Sequence, residues 1–89
     1  MIYTILFKPS AEKELRNLDK PLIHSINITL RKFANGEKCD SKKLKGFSNR
    51  YRVRAHDYRA IFDIIIEDNI MSVIRIAHRN KVYNNINNI

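Results

Sequence analysis

The chain has 89 residues, 44% hydrophobic and 29% charged, with a formal net charge of +8. This length points to one domain over residues 1–89, and the composition excludes a disordered chain. A surplus of cations directs attention to acidic partners, nucleic acid first and an acidic protein segment second.

Residues 2–8 alternate so that Tyr3, Ile5 and Phe7 share a face, which predicts a first strand. Pro9 opens a helix, because its fixed φ and missing N–H are harmless in a first turn. Glu12 and Glu14 suit the positive end of that helix, and Ala11, Leu15 and Leu18 form its apolar side. Asp19 reads as the N-cap of a second helix, with Pro21 in its first turn. Ile23, Ile26, Leu30 and Phe33 form its stripe, and Asn35-Gly36 ends it. The tight break between the helices makes them a helical hairpin. Residues 37–49 are polar and basic apart from Leu44 and Phe47, and read as a loop. Three strands follow, at 50–55, 58–66 and 70–77, separated by His56-Asp57 and Glu67-Asp68-Asn69. Turns this short force antiparallel neighbours, a three-strand meander. Residues 80–89 are rich in asparagine, yet Val82, Ile86 and Ile89 share a helical face, so a short C-terminal helix is expected. The order predicts an α+β fold: one twisted, mainly antiparallel sheet with the helical hairpin on one face.

Cations concentrate on the meander and just before it. Lys42, Lys43, Lys45, Arg50, Arg52, Arg54 and Arg59 have only Asp57 among them, and Arg75, His78 and Arg79 follow the next apolar run. Strand parity puts Arg52 and Arg54 on one face and Tyr51, Val53 and Ala55 on the other. Arg59 shares parity with Ile61, Asp63 and Ile65; Arg75 and Arg79 share it with Met71, Val73 and Ala77, and His78 takes the opposite side. A single face can therefore carry Arg52, Arg54, Arg59 and Arg79. Such a face either keeps the protein soluble or binds a polyanion. Arginine rather than lysine at the strand positions favours the second, since its forked donors match phosphate oxygens. No His/Cys/Asp cluster has metal-ligand spacing, and the only glycines, Gly36 and Gly46, form no phosphate loop, so neither a metal nor a cofactor is expected. The lone Cys39 reads as a free thiol. With no recognisable leader peptide and no apolar run of membrane-spanning length, a cytoplasmic protein without a membrane partner is expected.

Four motifs in order, Lys43-Leu44-Lys45-Gly46, Tyr51-Arg52-Val53-Arg54, Asp57-Tyr58-Arg59-Ala60-Ile61-Phe62 and Ile76-Ala77-His78-Arg79-Asn80-Lys81-Val82-Tyr83, resemble the RelE/ParE superfamily of toxins from prokaryotic toxin–antitoxin pairs. The likeness covers essentially the whole chain and is nearest to the RelE-type interferases, which cleave messenger RNA in the ribosomal decoding site. It implies a RelE-like fold and a ribosome-dependent, metal-independent endoribonuclease. It also implies an acidic RelB-like antitoxin as partner, and it allows a heterotetrameric complex. By the resemblance, Arg52, Arg54, Arg59 and Arg79 are catalytic cations, Tyr83 is a proton-transfer residue, and His78 stands where many members have a polar group. Lys42, Lys43, Lys45, Arg50 and Arg75 complete an RNA-binding set. Relatives with a Glu/His pair have no counterpart here, because no glutamate matches. Against these roles, Tyr83 can equally be an aromatic that packs the terminal segment, and His78 an exposed or structural histidine; His24 and His56 read as structural. A ParE-like blocker of DNA gyrase and a plain RNA- or ribosome-binding domain are the competing functions.

Overall fold

The computed structural model describes residues 2–89. Strand β1 spans Thr4–Phe7, helix α1 Pro9–Arg16 and helix α2 Lys20–Ala34. Strands β2 (Ser41–Lys43), β3 (Arg50–Ala55), β4 (Tyr58–Ile65) and β5 (Ile70–His78) follow. Both helices begin as their sequences dictate. Pro9 and Pro21 lie in first turns, and the Asp19 carboxylate accepts the Leu22 N–H at 3.1 Å. Helix α2 ends at Gly36, whose φ of 76° suits glycine. A Cβ there would meet Ile2 Cδ1 at 2.6 Å, so the residue also lets the start of the chain pass close by. The Ala34 carbonyl accepts the N–H groups of Ile2 and Tyr3, tying the end of α2 to the approach of β1.

The sheet has five strands in the order β1-β5-β4-β3-β2. β1 pairs with β5 in parallel, and every other neighbouring pair is antiparallel. The hairpin lies on one face, over a core of Ala11, Leu15, Ile26, Leu30, Val53, Phe62, Met71 and Val73. Tyr3, Ile5 and Phe7 join it as their alternation requires. Phe62 anchors the aromatic part, with Phe33 edge-on at 4.7 Å and Tyr51 stacked at 5.8 Å.

Two expectations fail. Residues 37–49 are not all loop, because Ser41–Lys43 form an edge strand on β3. The strand is short and its residues are polar and exposed, as edge strands often are, so no apolar alternation announces it. Nor does a helix form over 80–89. The chain makes turns and then a single 3₁₀ turn at Ile86–Asn88, and Asn85 at φ 55° breaks any helical path.

The register of β4 on β5 holds the detail that shapes the other face. Phe62 lies opposite Val73 and Ile61 opposite Arg75, so Ile74 is an extra residue, a β-bulge. Before it, Met71 and Val73 point to the helices; after it, Ile76 does. The expected shared parity of Arg75 and Arg79 with Met71 and Val73 is thus broken. Without the bulge those arginines would face the apolar core. With it, Arg75 and Ala77 join Arg59 and Ile61 on the open face. A small second cluster of Ile61, Ile74 and Val82 is buried there.

Candidate functional site

Directly paired residues on neighbouring strands share a face, so the register builds the open face in rows. One row is Lys42, Arg52, Ile61 and Arg75. The next is Arg54, Arg59 and Ala77, and the row on the other side is Arg50, Asp63 and Ser72. Arg54 and Arg59 are direct cross-strand partners. Like charges so placed oppose folding by up to about 1 kcal/mol. A fold selected for stability alone has no reason to keep them.

A carboxylate lies beside Arg54. Asp40 Oδ1 accepts from Arg52 Nη1 at 2.9 Å, and Oδ2 lies 3.8 Å from Arg54 Nη1. The Arg54 N–H donates to the Asp40 carbonyl at 3.0 Å, which fixes the residue beside β3. The hydrogen bond from Arg52 holds the Asp40 carboxyl below the ordinary carboxylate range; desolvation opposes this, and the charges of Arg52, Arg54 and Arg59 reinforce it. Two arginines thus contact one oxyanion, and Arg59 adds its charge from a greater distance. Arg59 is braced by its own turn, its Nη1 donating to the carbonyls of His56 and Tyr58, each at 3.1 Å.

The remaining candidates separate. The Arg79 N–H extends the ladder to Asp57 at 2.8 Å, which keeps the exposed Arg79 in step with Arg75 and Ala77. Tyr83 is 46% exposed, and the segment carrying it lies over the open face, since Val82 beside it is buried against Ile61 and Ile74. His78 is on the other side. It pairs with Tyr58, packs edge-on against that ring at 5.5 Å, and its Nδ1 accepts the Asn80 N–H. It therefore does not share the face of Arg52, Arg54 and Arg59. Helix-side His56 meets Ser25 Oγ at 3.2 Å, and His24 is exposed on α2.

Among the expected RNA contacts, Lys42 shares the face of Arg52, Lys43 pairs with Tyr51 on the reverse, and Lys45 is exposed in the turn before β3. Arg50 and Arg75 are corrections. The Arg50 side chain is 10% exposed, doubly bonded to Asp63 at 2.7 and 2.9 Å, and lies over the Phe47 ring. Arg75 is half-buried and donates to carbonyls of the segment after β5. Both guanidinium groups are engaged within the chain. Sequence reasoning missed Asp40 and Asp63. Asp63 did leave a signal, as an acid inside an apolar strand and in parity with Arg59. Asp40 left none without β2. Among the described residues no three His, Cys, Asp or Glu side chains group as a metal site.

Comparison with known proteins bears on the family and the fold. Residues 5–83 match the family described as the ParE toxin of type II toxin-antitoxin system, parDE. The chain is 31% identical over 86 residues to Toxin RelE3 of Methanocaldococcus jannaschii, covering 89% of this chain and 93% of that protein. The RelB-RelE antitoxin-toxin complex from Methanococcus jannaschii contains a chain of the same fold, with TM-score 0.73 and 26% identity over 88% of this chain and 94% of that one. In the intact E. coli RelBE toxin-antitoxin complex the match has TM-score 0.75 and 22% identity, over 85% and 95%.

Proposed function

We infer the activity from the family: the chain belongs to the RelE/ParE superfamily and is a RelE-type toxin of a type II toxin–antitoxin system. Its partner is an antitoxin, and its target on this reading is messenger RNA on the ribosome, cut without a metal ion. One observation carries this: Arg52 and Arg54 already pair with the oxyanion of Asp40, beside Arg59 across the strand, at a place where a phosphodiester can exchange with it. In the reaction a ribose 2′-oxygen bonds to the adjacent phosphorus and the P–O5′ bond breaks. The products are a 2′,3′-cyclic phosphate and a 5′-hydroxyl. The arginines stabilise the charge that gathers on the phosphorane, where one well-aimed donor is worth about 3–4 kcal/mol of barrier. Tyr83 supplies the proton that the 5′-oxygen takes. The 2′-hydroxyl proton leaves to solvent or to a ribosomal group, because His78 lies on the other side of the sheet. This makes the ribosome part of the active site, through orientation as well as chemistry.

The test is to map messenger RNA ends in a translating extract. Wild-type protein is expected to produce new 5′ ends within codons on the ribosome and to leave naked RNA largely intact. Arg59→Ala and Arg79→Ala are expected to slow single-turnover cleavage by about 10²-fold or more while remaining folded. The ParE description of the matched family supports a second reading, a gyrase blocker that cuts no RNA. Intact messenger RNA together with failing DNA supercoiling would replace the first reading with that one.

A further inference from the structure

The segment after β5 is held to the sheet largely by guanidinium groups. Only Val82 of residues 79–89 is buried, and Ile86 is half-buried. In place of a packed helix, two arginines hold four backbone carbonyls. Arg75 Nη1 donates to Val82 O at 3.0 Å and to Asn84 O. Arg50 Nη1 donates to Ile86 O at 2.8 Å, and its Nη2 to Ile89 O at 3.2 Å. Arg50 is in turn locked by its double bond to Asp63. The carbonyls that Arg75 holds are those of the residues on either side of Tyr83. Fixing both restrains the backbone that aims the Tyr83 ring, which is itself exposed. A planar guanidinium suits this work, since both N–H groups of one nitrogen are spent at a set angle.

We propose that Arg75 is a positioning residue for Tyr83, holding it in place through the Val82 and Asn84 carbonyls, and that Arg50 with Asp63 secures the far end of the same strap. This rests on the proton-transfer role given to Tyr83 above. It separates two roles among the arginines of the open face: Arg52 and Arg54 are turned to an anion, Arg50 and Arg75 to the chain itself.

A double-mutant cycle on programmed ribosomes tests it, with wild type, Arg75→Gln, Tyr83→Phe and the double variant measured in single-turnover cleavage. Arg75→Gln is expected to lose about 10²-fold, the scale of a small misplacement of a reacting group. The double variant is expected to be no slower than Tyr83→Phe, because a positioner has nothing left to position. Ribosome binding is expected to stay unchanged, and Arg75→Lys to recover part of the rate. Hydrogen exchange is expected to quicken at the Val82, Asn84 and Ile86 amides in Arg75→Gln but not in β4. Multiplying losses in the double variant, weakened ribosome binding, or a Tyr83→Phe variant as fast as wild type would each overturn the proposal. So would an unchanged exchange pattern. If wild type cuts nothing yet exchange quickens as expected, the cleavage reading falls and the strap stands.

Discussion

At the scale of single residues, the feature that matters most is that the anion site is occupied from within. Asp40 spends one donor of Arg52 and the field of Arg54 and Arg59, so a phosphate that binds there must take its place. Asp40→Asn keeps the shape and removes the competing charge. Its affinity for an RNA carrying a 2′-deoxyribose at the scissile position is expected to rise about two- to fivefold, the usual worth of an exposed ion pair. Unchanged affinity would mean that the phosphate binds elsewhere. The sign with pH follows from the lowered carboxyl. The pair contributes stability at and above neutral pH, and that contribution disappears as acid protonates Asp40 below the ordinary carboxylate range. An acid titration of wild type against Asp40→Asn should therefore converge only at the acid end. How much of this was legible in the sequence depends on the residue. Arg52, Arg54 and Arg59 could be placed by parity, because alternation with Tyr51, Val53 and Ala60 leaves them one face. Arg50 could not be told from Arg52 by type. What separates them is the neighbour across the strand, Asp63 for one and Ile61 for the other, and that is a matter of register.

At the scale of elements, the strands and helices with strong periodicity are where the sequence puts them, and the two failures have the same cause. Ser41–Lys43 and residues 79–89 are organised by backbone hydrogen bonds to distant partners, with little help from their own side chains. Local patterning has nothing to say about such segments. The bulge at Ile74 is a third case, where strict alternation gives the right partners for Met71 and Val73 and the wrong side for Arg75. The Arg50–Asp63 pair joins β3, β4 and the strap, and its removal is expected to be felt as a stability loss. Asp63→Ala leaves a mostly buried guanidinium without its counter-charge, which typically costs about 3 kcal/mol. Urea unfolding measures it. A loss well under 1 kcal/mol would show that the pair behaves like a surface contact. Apolar replacements at both positions are expected to restore much of the stability while freeing the strap, so stability and cleavage should part company in that variant.

At the scale of the molecule, a charge of +8 on so small a body sets the terms of association. An acidic antitoxin segment, unfolded alone and ordered on the toxin, is expected to bind fast in dilute salt and several-fold more slowly as ionic strength rises past the point where the Debye length shrinks to about 10 Å. Copurification with the product of a neighbouring gene, followed by association rates over a salt series, checks this. A salt-independent rate, or a complex that still cuts messenger RNA, would remove electrostatic capture from the account. The order of the sheet has one more consequence. β1 has a single neighbour, β5, and Thr4 lies opposite Ile70, so the earliest strand to be synthesised waits for the latest. Helix α1 waits as well, since Glu14 accepts the Ile76 N–H at 3.0 Å. Closing so long a loop is slow compared with forming local structure. Until β5 has emerged from the ribosome that makes it, the chain has no finished sheet, and we expect it to be harmless there. The weapon is assembled only once its last strand has been made, and in that interval an antitoxin already present can reach it first.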